Sequence, residues 1–324
     1  LALLPGGMTK IPSLGSANVI TLREAGSPSS QYATSSLGTK FIVDGQPIGT
    51  DANMQYIAGA FQGDADNSRN HISYGVDMRE IPTDNIERVE VVRGIPSVKY
   101  GELTSGLINI TRKRSQTPLQ IRLKADEYGK LISAGKGFLL AEKWNLNVDG
   151  GLLDAKKEPR NQFETYKRLT FSARIQRKWK LGEHNILEWN GATDYALNVD
   201  NVKTDPEIQI HKEDRYRSSY LKIGMNNRIV YRRLLPLGLQ RASFAYTASV
   251  AFDKIHQTEA VALQRDYVVP LAYESGEYDG LFLPFQYISN YRVEGIPFYT
   301  TFRGETEWTA QTALINHRIT AGGE

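Results

Sequence analysis

The 324-residue sequence contains no cysteine, which removes disulfide frameworks, thiolate zinc sites and cysteine nucleophiles from consideration. It also lacks any apolar run approaching the roughly 20 residues that a membrane-crossing helix needs, and its mean hydropathy is negative. A helical membrane protein is excluded. A membrane barrel is not, because its strands carry an apolar residue only at every second position and look hydrophilic on a sliding average. Charge of one sign is scarce as well: 39 Lys and Arg against 36 Asp and Glu leave +3, with no basic stripe to suggest a nucleic-acid partner. The five histidines, His71, His184, His211, His256 and His317, fall in separate segments without metal-ligand spacing. No phosphate-binding loop, nucleophile elbow or dinucleotide fingerprint appears. No catalytic residue, metal site or cofactor is therefore expected. Leu1-Ala2-Leu3-Leu4-Pro5-Gly6-Gly7 has neither the basic region nor the cleavage site of a signal peptide.

What the sequence does have is a change of texture near residue 115. Before it, short β-rich runs (Val19 to Arg23, Lys40 to Val43, Ile86 to Arg93, Leu107 to Thr111) alternate with loops rich in Gly, Asp, Asn and Ser, as in a small mixed α+β domain. From Thr117 onward, long runs alternate strictly with period two. Between Arg168 and Trp179 the odd positions Leu169, Phe171, Ala173 and Ile175 are apolar, and the even positions Arg168, Thr170, Ser172, Arg174 and Gln176 are polar. Arg241 to Lys254 repeats the pattern, with Phe244, Val250 and Phe252 on one side and Ser243, Ser249 and Asp253 on the other.

Strand length separates two explanations of that alternation. A sandwich strand averages about five or six residues, whereas a tilted strand needs roughly 9 to 11 to cross a bilayer. The runs here have the second length. They place strands at about 119 to 127, 131 to 140, 144 to 154, 166 to 179, 184 to 197, 215 to 232, 239 to 254 and 306 to 320. Trp144, Trp179, Trp189 and Trp308 all share the apolar parity of their strands, as an aromatic girdle requires; a sandwich core is the competing reading. Every second connection is short (141 to 143, 180 to 183, 233 to 238), and the intervening ones lengthen to a long loop over Ile255 to Glu305. Short turns on one rim and long loops on the other describe an outer-membrane barrel.

The first part supplies a family. Phe41-Ile42-Val43-Asp44-Gly45-Gln46-Pro47-Ile48 resembles a strand and turn of the plug of TonB-dependent receptors. Ile86-Glu87-Arg88-Val89-Glu90-Val91-Val92-Arg93-Gly94, then Pro96-Ser97, Tyr100-Gly101 and Gly106-Leu107-Ile108-Asn109-Ile110-Thr111, is similar to the rest of that family's pattern in order and spacing. The resemblance rests on Asp44, Gly45, Pro47, Glu90, Arg93, Gly94, Tyr100, Gly101 and Gly106. It implies a mixed α+β plug over residues 1 to 114, followed over 115 to 324 by roughly the first eight antiparallel transmembrane strands of a barrel of about 22. An eight-stranded barrel cannot enclose a plug of this size, so the remaining strands, the TonB-contact segment and the signal are expected outside these 324 residues.

The charged strand Glu87 to Val92 is expected to set its valines in a small core and its charges toward a polar wall. By resemblance, Arg23 and Arg93 would engage the barrel and hold the plug; Arg23 is followed here by Glu24 where the family commonly has glycine. The resemblance also implies an outer-membrane location in a Gram-negative bacterium, gated import of a small-molecule or oligomeric cargo, and contact with outer-membrane lipid. Its partners would be the TonB energy-transducing complex and, in some members, a surface lipoprotein. Arg93-Gly94-Ile95 resembles the form commoner among importers of metal chelates, which favours a ferric siderophore, haem or cobalamin-like ligand over the glycan or peptide cargo of starch-utilisation importers. Asp64, Asp66 and Arg69, in a long loop, and Tyr278, Tyr287 and Tyr291, in an aromatic-rich stretch, are candidate cargo contacts. A soluble β-rich glycoside hydrolase using two carboxylates is the alternative of another class, although nothing selects a pair.

Overall fold

The computed structural model describes residues 39–48, 85–93, 100–101, 106–125, 129–141, 143–156, 162–203, 207, 214–312 and 315–324. They form two principal sheets. The small one has the order β2-β1-β4-β3, from β1 (Thr39–Val43), β2 (Gln46–Pro47), β3 (Ile86–Val92) and β4 (Gly106–Arg112). Its turn is dictated locally: Asp44 and Gly45 both adopt positive φ, 56° and 84°, the type I′ geometry that joins two twisted strands through two residues. Parallel pairing of β1 with β4 puts Phe41, Val43, Ile108 and Ile110 into one buried cluster, with Ile48, Ile86 and Val91 packed on it. The expectation for β3 needs correcting, because Val89 is 42% exposed. Val91, on the same side, does pack on the core, and the irregularity between Ile86 and Arg88 brings Ile86 to that side as well. Helix, the other half of the α+β expectation, has no counterpart among the described residues of this part.

The large sheet is antiparallel throughout and runs in sequence order through β5 (Thr117–Ala125), β6 (Gly129–Ala141), β7 (Trp144–Ala155), β8 (Glu164–Lys180), β9 (Asn185–Lys203), β10 (Arg215–Arg233) and β11 (Gly238–Ala262). It then continues to β15 (Phe298–Thr312) and β16 (Ile315–Gly323), with β14 (Gln286–Gly295) on the upper half of β11. β5 and β16 are its two edges, so in this chain the sheet is an open wall.

Two stretches differ from expectation. The single strand foreseen over 306 to 320 is a hairpin of β15 and β16. The outward apolar positions change from even (Phe302, Trp308) to odd (Ile315, Ile319), which one continuous strand cannot do. The loop foreseen over Ile255 to Glu305 is mostly strand. β11 runs for 25 residues, and its far half pairs with β14 while its near half pairs with β15. Pro297, which has no N–H to give to the ladder, separates β14 from β15, although its carbonyl still accepts from the Ala251 N–H at 2.9 Å. A small hairpin of β12 (Tyr267–Pro270) and β13 (Gly280–Leu283) lies beyond this finger's strands.

The wall is inside-out relative to a soluble sandwich. On β8, Arg168 and Arg174 are 3% and 2% exposed while Leu169 and Phe171 are 44% and 46% exposed. The register carries that polarity across strands. Leu152, Leu169, Leu197, Leu221 and Phe252 form one outward row, and Trp144, Arg177, Trp189, Ile229 and Phe244 form another. Between the outward positions Leu221 and Tyr231 of β10 the strand climbs about 34 Å at 3.4 Å per residue, roughly 25 Å of height at a barrel tilt near 40°. At the short-turn end the rings of Trp144 and Trp189 meet edge-on at 6.0 Å, and the Arg177 guanidinium lies 4.6 Å from Trp144 and 4.7 Å from Trp179.

Candidate functional site

The small sheet touches the wall's inner face, and Asp44 is the centre of that contact. The tight turn that places it also buries it. Its Oδ1 accepts the Arg112 backbone N–H at 2.9 Å, and its Oδ2 accepts from Arg112 Nε at 2.8 Å and lies 3.1 Å from Arg114 Nη2. Burial alone would raise the Asp44 pKa, but the Arg112 and Arg114 guanidiniums and the Arg112 hydrogen bonds outweigh it and hold the carboxyl below its usual range. For Arg112, burial works against the charge, while Asp194 and Asp44 overcome it and keep the guanidinium protonated.

Arg112 then crosses to the wall. Its Nη1 donates to Asp194 Oδ1 at 2.5 Å and to Ser172 Oγ at 3.2 Å, and its Nη2 donates to Asp194 Oδ2 at 3.1 Å. This two-pronged geometry is what the planar guanidinium supplies and an ammonium does not. Around it the wall's inner polar residues are themselves tied. Arg174 pairs with Asp149 at 2.6 Å, both buried, and its Nε donates to the Lys113 carbonyl at 3.1 Å. Three further contacts ring the bridge. Asn226 Nδ2 donates to the Val43 carbonyl at 3.2 Å, the Arg303 guanidinium lies 5.3 Å from the Tyr100 ring centroid, and a Cβ added at Gly45 would run into the Arg228 guanidinium.

Of the residues singled out from sequence, Asp44, Gly45 and Tyr100 come together at this interface. Pro47 is fully buried in β2 and Gly106 opens β4 opposite Thr39. Glu90 stays exposed, accepting from Asn109 Nδ2 at 2.9 Å, and the Gly101 carbonyl accepts from Lys40 Nζ at 3.3 Å. Arg93 follows β3 and is half-buried. Arg23, Asp64, Asp66, Arg69 and Gly94 lie outside the described residues. Tyr287 and Tyr291 share one side of β14, the side continuous with the wall's inner face through the pairing of Tyr291 with the buried Gln257. Tyr278 lies apart, exposed, between β12 and β13. Asp194 and Ser172 were not singled out. The only sequence signal for them was parity, which assigned dozens of residues to the inner face without saying which would meet the small sheet.

Residues 1–107 match the family model described as the TonB-dependent Receptor Plug Domain, a receptor and transport family rather than an enzyme family. No curated protein sequence matches the chain. Among solved structures, a double mutant of the ferric enterobactin receptor PfeA from Pseudomonas aeruginosa is similar at 13% identity and a TM-score of 0.38, over 90% of this chain and 49% of that one. The siderophore receptor PirA from the same organism is similar at 12% identity and a TM-score of 0.32, over 88% and 55%. The chain spans about half the length of these structures.

Proposed function

We propose, given that residues 1–107 match the TonB-dependent receptor plug domain, that this chain supplies the gate and the first part of the barrel wall of an outer-membrane importer. One observation carries the reading. A small soluble-type sheet is seated by an ion-pair relay, Arg114–Asp44–Arg112–Asp194, against the polar face of a wall whose other face is an apolar band roughly 25 Å high. Such a wall suits the hydrocarbon of a membrane outside and water inside. A gate held by ion pairs, rather than by a greasy contact, can be released and reseated without exposing apolar surface to water.

In the proposed cycle, cargo binds on the long-connection side of the plug and TonB, powered from the inner membrane, displaces the plug to open the lumen. No bond in the cargo is broken. A ferric siderophore, haem or cobalamin-like chelate is the favoured cargo class, with Tyr287 and Tyr291 on the inner side of the β11/β14 finger as its aromatic contacts and a surface lipoprotein as an accessory in some members of the class. The remaining strands would complete the cylinder beyond β16. The test is uptake by cells carrying the intact receptor, supplied with iron-55 chelates, haem, cobalamin and maltooligosaccharides, with and without TonB. TonB-dependent uptake of one chelate is expected, and TonB-independent passage of small solutes would point to a porin instead.

A further inference from the structure

On the wall's inner face, between Asp194 and the short turns, hydrogen-bond donors collect without acceptors. Two rows toward the short turns from Asp194, Arg228 of β10 and Arg303 of β15 flank the small, buried Ala245 of β11. The row between holds Asn226, Thr247 and Thr301. Arg228 Nε, Arg241 Nε, Thr247 Oγ1 and Thr301 Oγ1 are enclosed there and make no hydrogen bond. The acids nearby are already committed. Glu305 pairs with Arg303 at 2.7 Å, Glu307 with Arg318 at 2.5 Å and Glu188 with Arg232 at 3.5 Å. Among the described residues Arg228 and Arg241 have no ion-pair partner. The guanidiniums of Arg241, Arg303 and Arg114 repel Arg228, and Glu305, already held, is the carboxylate that offsets them. Arg241 also stands directly opposite Arg232 in the ladder, a like-charge pairing that is unfavourable without a counter-charge.

Enclosing cations and donors in this way is costly unless acceptors reach them. The missing element is negative charge that carries several lone pairs. We infer that Arg228, Arg241, Thr247 and Thr301 bind one small oxyanion, a phosphate or a carboxylate, over Ala245. Guanidiniums suit two-pronged contacts with such an anion, and the hydroxyls supply further donors. The small sheet closes the site from the other side. A Cβ on Gly45 would run into the Arg228 guanidinium, and the Tyr100 ring lies 5.3 Å from that of Arg303. A bound oxyanion therefore ties the small sheet to the wall beside the Arg112–Asp194 bridge. The inference rests on reading that sheet as the gate. The oxyanion comes either from free phosphate or from the carboxylate of a cargo in passage, and the two sources are separated by experiment.

The test titrates the intact receptor in detergent with inorganic phosphate and, separately, with malonate, reading heat by calorimetry and hydrogen exchange in β1 and β4. Saturable one-to-one binding with slower exchange in both strands is expected. Binding of phosphate identifies the free ion as the source, and binding of malonate alone identifies a carboxylate. Arg228→Gln should weaken binding about tenfold to a hundredfold. Thr301→Val, which leaves every charge in place, should weaken it about tenfold. No binding of either anion by the parent overturns the inference without any variant, as does an affinity unchanged in both variants. Uptake by cells is measured alongside. Loss of its TonB dependence while anion binding persists would instead refute the importer reading, so the two failures are distinguishable.

Discussion

Arg112 of the small sheet and Asp194 of the wall meet through two hydrogen bonds, 2.5 and 3.1 Å, although one partner is buried and the other is not: the side chains are 6% and 44% exposed. That asymmetry orders the expected effects of breaking the relay. Asp194→Asn removes a partly hydrated charge and should cost about 1 kcal/mol or less of plug seating. Asp44→Asn leaves Arg112 and Arg114 beside a site that no longer balances them, and should cost about 3 to 5 kcal/mol of local stability. Hydrogen exchange of β1 and β4 in the intact receptor measures both. A larger loss of protection for Asp194→Asn than for Asp44→Asn would reverse the ordering argued here.

The same carboxylate sets a pH limit. The Asp44 pKa in the folded protein lies below its ordinary value of 3.8. Its contribution is therefore fully present above about pH 4 and is lost as pH falls through the depressed folded value. Plug protection should stay flat from neutral pH down to about 4 and decline only below it. In Asp44→Asn that acid limb should be reduced. A decline centred near pH 6 would assign the seating to another group.

Gly45 tests the turn and the contact separately. Its φ of 84° is costly for alanine, about 1 kcal/mol or more, and any Cβ there must push Arg228 aside. Gly45→Asn relieves much of the backbone cost, since asparagine tolerates that conformation, but keeps the clash. If Gly45→Asn matches the parent in plug exchange while Gly45→Ala does not, the turn matters and the Arg228 contact does not. The close approach predicts that both variants loosen the plug, alanine more.

The apolar band predicts a depth gradient. Ile175 sits near the middle of its outward column on β8 and Leu169 near the top. Arginine at Ile175 should cost about 2 to 4 kcal/mol of folding stability in bilayers and at Leu169 about 0 to 1. Spin labels at 171 and 172 should be reached by lipid-soluble and aqueous quenchers respectively. Equal costs at 175 and 169, or equal quenching at 171 and 172, would remove the membrane from the account.

Parity made the wall legible in the sequence, because a side-chain period of two is a local property and survives in every long strand. Leu169 and Arg174 fall on the faces expected from their spacing alone. The Asp44-Gly45 turn was legible through the resemblance of residues 41 to 48 to a strand and turn of the plug. The finger of β11 and β14 was not. The segment fell between two recognised strands, and only the pairing of His256 with Arg292 and its neighbours, across more than 30 residues, makes it a strand pair. The β15/β16 hairpin hid behind a parity change that was read as one strand. The Arg112–Asp194 bridge depends on how one sheet sits against another, and alternation holds no information about that.

The central claim is that the plug seated by Arg112 moves away from the wall when the receptor is energised. The sequence offers a clean probe, since its 324 residues contain no cysteine. Ser172, 4% exposed and bonded to Arg112, can be replaced by the near-isosteric cysteine and challenged with a membrane-impermeant thiol reagent in cells carrying the intact receptor and its imported chelate. Labelling of Ser172→Cys should be slow at rest and rise sharply when TonB is energised, and an uncoupler or loss of TonB should abolish the rise. Labelling that is the same with and without energised TonB, while uptake of the chelate proceeds, would contradict the account.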